Sequence, residues 1–278
     1  MTTQDMQLIL TGGALGVEVR GLDLRNALSA ETVHHLRAAF LDHGVLFLRD
    51  QQLSEVDQVR FSRYFGDPVP HVREQPDRPI PEIFIISNVE EKGRPIGALG
   101  NEEIKFHSDL SYMPRPGSIS MLYAVEVPEA GGDTMWANLY TAYETLDEQT
   151  KTRIARLRAI HKHPRPQQNP PVPASHPVVC VHPETGRKVL YVSPHLTSHI
   201  EGLGAEEGQV LLNRLITHAT QPRFVWTHRW RVGDLLMWDN RCTMHRRESF
   251  DNTQRRIMKR TQMFGDEPKG DLVTHPTA

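Results

Sequence analysis

Short apolar runs alternate with polar turns along this chain, and the repeat switches between two residues and three or four. Residues 17–24 (VEVRGLDL) alternate apolar and polar positions, the pattern of a half-buried strand. Over Ala30–His43, Val33, Leu36 and Phe40 recur at helical spacing, with Ser29 placed to cap the first turn. Val45–Leu48 reads as a short apolar strand. Ser54 offers a second cap with Asp57 at the third helical position. Val59, Phe61 and Phe65 then supply a buried side until Gly66 ends that helix. Residues 83–86 form another compact strand.

From residue 104 onward the pattern is strongly β. In residues 118–125 (SISMLYAV), Ile119, Met121, Tyr123 and Val125 alternate with other side chains. Residues 178–181, 189–192 and 235–238 are short apolar runs between turn residues, and residues 223–230 put Phe224, Trp226, His228 and Trp230 on one face. Two helices interrupt this pattern, over residues 140–160 and Ala205–Ala219, the second with Val210, Leu211, Leu215 and Ala219 on its apolar side. Residues 162–177 carry prolines at 164, 166, 170, 171, 173 and 177, which forbid a helix interior and predict an irregular lid or binding loop. Residues 266–278 read as a polar tail. No repeat or low-complexity tract divides the chain, so residues 1–278 are read as one domain.

Charge and composition narrow the classes. With 32 Lys+Arg against 34 Asp+Glu the formal charge is −2, so no whole-protein field draws the chain to nucleic acid or an anionic membrane. The longest apolar runs fall far short of the roughly 20 residues of a membrane-spanning helix. The first ten residues (MTTQDMQLIL) lack a basic region followed by an apolar stretch, so a cytoplasmic location is expected. Two cysteines, Cys180 and Cys242, cannot build a disulfide scaffold or a thiolate metal site, and Cys242 reads as a small buried hydrophobe.

Histidine is where the composition departs from a generic soluble domain, with 15 residues. In IKFHSDLS, His107 and Asp109 stand two apart, so a strand, or the turn ending one, can aim both at a single ion. His245, in GDLLMWDNRCTMHR, closely follows the 235–238 strand and is the best third ligand. Two neutral imidazoles and a carboxylate are the ligand set of non-haem Fe(II) oxygenases, which leave coordination positions open. The HExxH and thiolate patterns of zinc enzymes are absent. An HxD triplet alone arises readily by chance in such a composition. The same ligands would also suit a metal-dependent hydrolase or isomerase, or a non-catalytic sensor.

The neighbouring motifs decide more. The chain resembles the TauD/TfdA family of 2-oxoglutarate-dependent Fe(II) dioxygenases in FHSDLSY, PEAGGDTMWANLYTAYETL, GDLLMWDNRCTMHR and QRRIMKRTQMFGD. Weaker echoes lie in GVEVRGLDLR, GVLFLRDQQLS, FSRYFGDP and HPETGRKVLYVS, so the resemblance covers nearly the whole chain in order. It implies an α+β, strand-rich fold: a double-stranded β-helix (a jelly-roll, cupin-like core) with flanking helices. It implies His107, Asp109 and His245 as ligands of Fe(II), with 2-oxoglutarate as cosubstrate and dioxygen as oxidant. Arg256 would pair with the far carboxylate of 2-oxoglutarate and Thr134 would hydrogen-bond it. If this segment is a strand, Arg255 points to the opposite face, and it is given no role. Halogenating relatives lack the carboxylate ligand; Asp109 therefore implies hydroxylation.

The same resemblance places Arg260, His71 and Tyr112 on the primary substrate, a small anionic organic acid. A taurine-acting member carries Asn four residues before the first iron ligand, where this chain has Glu103. An aryloxyalkanoate or another larger acid fits that position at least as well as a sulfonate. Family members are often dimers or tetramers, so a homo-oligomer is expected. Trp238 is read as core, and His161, His163 and His176 as solvated histidines beside the proline-rich loop.

Overall fold

In a computed structural model, which describes residues 6–73, 75 and 78–271, the strands form two main sheets that share one interior. The larger runs in spatial order Gln7–Leu10, Val17–Arg20, Val45–Leu48, Leu235–Asp239, Gly117–Glu126, Ile257–Phe264 and Phe84–Ser87. Its neighbours are antiparallel except Val17–Arg20 with Val45–Leu48. The smaller sheet runs Val225–His228, Thr134–Asn138, Thr243–Arg247 and Ile104–His107, all antiparallel. The architecture is mixed α and β and rich in strand.

Strand alternation divides the large sheet into two environments. Ile119, Met121 and Tyr123 pack outward against Leu36, Phe40 and Phe61 of the helices Ala30–His43 and Glu55–Ser62. Leu122, Ala124, Leu236, Trp238 and Met258 face inward and meet Trp136 of the smaller sheet. Both helices start as their caps require. The Ser29 hydroxyl accepts the Thr32 amide at 3.1 Å, and Ser54 and Asp57 form a reciprocal capping box.

Four expectations change. The helix expected over residues 140–160 is two short helices, Leu139–Glu144 and Glu148–Ile154, followed by the strand Arg158–His161. Asp147 breaks it, because its carboxylate accepts the Thr150 amide at 2.8 Å and starts a second helix. The proline-rich stretch is not irregular throughout: Pro166–Gln168 forms a 3-10 turn and Ala174–Pro177 an edge strand on Arg158–His161. Pro177, at the end of that ladder, sacrifices no needed donor. Within Ala205–Ala219, Leu212 takes the inward position while Val210 is exposed. The tail is tied down through Asp271: the Lys269 carbonyl accepts from Val181 and Asp271 pairs with Lys188 at 2.7 Å. Residues 272–278 lie outside the described residues.

A buried ion-pair cluster fixes the turn before the Leu235–Asp239 strand. Asp234 is fully buried and accepts from His228 Nε2 at 2.9 Å, from the Arg231 amide at 2.8 Å and from the Arg49 guanidinium. Asp234→Ala is expected to lower the unfolding free energy by about 3–5 kcal/mol in urea titration, because the Arg49 guanidinium loses its counter-charge and the buried His228 N–H and Arg231 amide lose their acceptor.

Candidate active site

The central contact is a strand pairing. His245 lies opposite His107 across the antiparallel strands Thr243–Arg247 and Ile104–His107, and their rings stand 4.3 Å apart, centroid to centroid. Asp109 follows in the turn after His107. Its Oδ1 lies 3.6 Å from His107 Nε2 and 4.0 Å from His245 Nε2. Ligands at right angles around a first-row ion, with bonds of about 2.1 Å, sit roughly 3 Å apart, so small side-chain rotations would close this set on a metal. The protonation states fit. His107 Nδ1–H donates to the Lys105 carbonyl at 2.8 Å, which leaves Nε2 its lone pair. Burial, then the neighbouring His107, pushes His245 down to about 3, so it is the neutral ligand form at physiological pH. Burial works to raise the Asp109 carboxyl, but Arg260, His245 and His107 outweigh it and hold it well below the ordinary range.

One cavity joins these ligands to the expected cosubstrate residues. It is lined by His107 and His245 together with Thr134, Arg247, Arg256 and Arg260, with Ile86 and Leu122 as apolar wall. Arg256 is 2% exposed, and its Nε has no hydrogen-bond partner. Among the described residues no carboxylate reaches its guanidinium. Burial, then Arg247, lowers its affinity for its proton to about 9. That is a desolvated cation without a counter-ion. Thr134 accepts the Trp230 indole N–H at 2.9 Å, so its own proton remains to donate. Arg255, by contrast, is exposed and forks onto Glu126 at 2.6 and 3.1 Å, on the opposite side as expected.

Arg260 is buried beside the ligands, with Nη1 3.5 Å from Asp109 Oδ1 and its guanidinium 5.1 Å from the centre of the Phe84 ring. His71 packs on the other side of this region, its ring 4.1 Å from Phe84. Burial, then Arg260, holds His71 at about 2, so it is uncharged. Tyr112 is buried, 5.1 Å ring to ring from His163.

Sequence reasoning missed three residues here. Arg247 is a second buried arginine on the cavity; it donates to the carbonyls of Leu99, at 2.8 Å, and Glu102. Its position two residues beyond His245 on one strand was the available signal. Arg73 binds Gln168 Oε1 at 2.8 Å and touches His163, and His195 lies 5.7 Å from His107, ring to ring; no pattern in the chain marks either. The loop histidines are also corrected. His161 and His176 are buried, the latter donating from Nε2 to the Ser111 carbonyl at 2.9 Å, and His163 is half-buried against Tyr112. The strand at Ala174–Pro177 carries His176 inward. A second group, His182, Asp239 and Cys242, also clusters. It is a closed ion pair, since Arg241 forks onto both Asp239 oxygens at 2.8 and 2.6 Å and His182 donates at 3.0 Å.

Residues 9–262 match the family model described as "Taurine catabolism dioxygenase TauD, TfdA family". The chain belongs to the TauD/TfdA family. It is 37% identical to the alpha-ketoglutarate-dependent 2,4-dichlorophenoxyacetate dioxygenase of Cupriavidus pinatubonensis, over 91% of this chain and 95% of that protein. An alkylsulfatase of Acinetobacter baylyi is 34% identical over 96% of this chain and 88% of its own. A taurine dioxygenase structure from Burkholderia xenovorans superposes with a TM-score of 0.84 at 35% identity, covering 96% of this chain and 92% of the other. A structure of AAD-2 in complex with Mn(II) and N-oxalylglycine gives 0.80 at 32% identity, covering 96% and 99%. As a TauD/TfdA member the chain is an oxidoreductase that uses Fe(II), 2-oxoglutarate and dioxygen.

The buried cation yields a test that needs no turnover. Arg256→Met is expected to leave the apoprotein at least as heat-stable as the wild type, because an uncompensated buried charge is removed. The rise in melting temperature that 2-oxoglutarate gives the wild type in the presence of Mn(II) should vanish in the variant, as read by thermal denaturation with and without the two additives.

Proposed function

We propose that this enzyme hydroxylates a small organic anion, an aryloxyalkanoate, another carboxylate, or a sulfonate or sulfate ester. His107, Asp109 and His245 hold Fe(II), and Arg256 with Thr134 holds the far carboxylate of 2-oxoglutarate. The observation that carries this reading is the single cavity joining the two histidines to a buried arginine without a counter-charge. A carboxylate entering that end would receive a bidentate guanidinium and the Thr134 proton in a site shielded from water. When bound, the iron would activate dioxygen, the oxidant, with two electrons taken from the decarboxylation of 2-oxoglutarate, so that one oxygen atom enters a substrate C–H bond and the other ends in succinate, with carbon dioxide released.

The protein's own part is placement. Arg260, His71 and Tyr112 form the substrate side. His71 Nδ1 accepts the Arg73 amide at 3.0 Å, so the ring proton sits on Nε2, where it can donate to an anion. His71 thus contributes a hydrogen bond, and Arg260 contributes the charge. A hydroxyl delivered to a carbon bearing an ether or sulfate oxygen, or a sulfonate, leaves an unstable adduct. It collapses to a carbonyl compound and a phenol, sulfate or sulfite. The relatives named for 2,4-dichlorophenoxyacetate and alkyl sulfates support this range.

The double-stranded β-helix belongs to the same reading, supported by two sheets facing across one core. So does a homodimer or homotetramer, supported by the exposed Leu8, Ile9 and Leu10 on the edge strand of the larger sheet. A cytoplasmic location completes it; among the described residues no helix is long and apolar enough to cross a membrane.

Anaerobic loading with Fe(II) and 2-oxoglutarate, followed by oxygen and a panel of aryloxyacetates, aryloxypropionates, alkyl sulfates and sulfonates, should release succinate in step with one class. A folded, iron-loaded protein that forms no succinate with any of them would overturn the reading. Arg260→Ala should raise the KM for the responding acid roughly 30-fold or more, the loss of a charge-assisted contact worth about 2–5 kcal/mol, while the KM for 2-oxoglutarate changes little. Steady-state kinetics in each substrate separates the two effects.

A further inference from the structure

We propose that Ser120, locked by Asn240 and Gln262, is a positioning residue that restricts Asp109 to one ligating oxygen. The inference rests on the assignment of Asp109 as a metal ligand. A hydroxyl has two lone pairs and one proton. Ser120 Oγ receives Asn240 Nδ2 at 3.0 Å and Gln262 Nε2 at 3.2 Å, which uses both lone pairs. Its proton is thereby directed to Asp109 Oδ2, 2.7 Å away. The bond is short and charge-assisted.

Asn240 is itself held in one orientation. Asn240 Oδ1 accepts two groups that can only donate, the Trp238 indole N–H and the Asp109 amide, both at 2.9 Å. Its Nδ2 must therefore face Ser120. Gln262 stands directly opposite Ser120 on the neighbouring strand, and Trp238 opposite it on the other side. At Gly117 a Cβ would come within 2.8 Å of Gln262 Nε2, so the missing side chain is what lets that amide reach. Ser120, Asn240 and Gln262 are all buried, so water does not compete.

The consequence lies at the other oxygen. Oδ1 alone faces His107, His245 and Arg260, while Oδ2 is engaged behind it. Two imidazoles and one carboxylate oxygen leave three positions of an octahedron. A chelating 2-oxo acid takes two. A bidentate Asp109 would close the last position, and the Ser120 proton prevents that.

The test uses the Co(II)-substituted full-length protein with 2-oxoglutarate and a substrate acid, read by visible absorption, beside kinetics of the iron enzyme. In the wild type, adding the acid should strengthen the Co(II) bands as the metal loses a ligand and becomes five-coordinate. In Ser120→Ala that gain should be lost, kcat should fall about 10–100-fold, and the KM for 2-oxoglutarate should hold. Ser120→Thr keeps the hydroxyl and should restore both readouts. Gln262→Leu, which frees the hydroxyl to rotate, should fall between and serves if Ser120→Ala does not fold. Wild-type spectra and kcat in the folded Ser120→Ala protein, or in Gln262→Leu if it must stand in, would overturn the proposal. Failure of the wild type to bind Co(II) and 2-oxoglutarate would instead overturn the assignment of the metal site.

Discussion

The antiparallel register that sets His245 against His107 is the constraint on which the rest of the site depends. Strand geometry then distributes the chemistry by twos. Arg247 follows His245 on the same face, and Arg260 and Gln262 share the inward face of their strand with Ser120 and Leu122 opposite. A slip of one residue in either ladder would turn these groups out toward the helices. The outward set, Met121 with Met263 and Met237, resists that slip because it is packed against Phe61 and Phe65. The packing of the outer layer therefore supports the polar inner one.

Electrostatically the cavity is unbalanced toward positive charge. Arg247, Arg256 and Arg260 are all buried, and among them only Arg260 has a carboxylate near it, Asp109 at 3.5 Å. Burying a guanidinium without a partner is costly, and Arg247 offsets this through the backbone carbonyls of Leu99 and Glu102 and the face of the Phe250 ring. The arrangement is poor for the stability of the empty protein and good for binding anions. The closed group of Asp239, Arg241 and His182 makes the contrast, since there every charge is met within the chain and nothing remains for a ligand.

Much of this was legible in the chain. Caps at Ser29 and Ser54 mark helix starts because capping is a local hydrogen bond between residues three apart. The trio that the structure brings together was readable only because the motifs around the HxD spacing resemble those of a known family. Local reading failed where competing local signals met, as at Asp147, whose cap divides a stretch of otherwise helical residues. It also failed at His161 and His176, where proline-rich surroundings suggested solvent and strand pairing put both rings in the core.

By itself, then, the sequence determined the capped helices and most strands, which depend on spacing within one segment, and through its motifs the family, which implies the ligand set and an arginine for the cosubstrate. The tertiary structure alone decided which arginine is left without a counter-charge, that His71 is neutral, and that Ser120 claims one oxygen of Asp109. Those outcomes depend on burial and on distances between segments, such as the 2.9 Å from the Asp109 amide to Asn240, that only the register of the folded sheets sets.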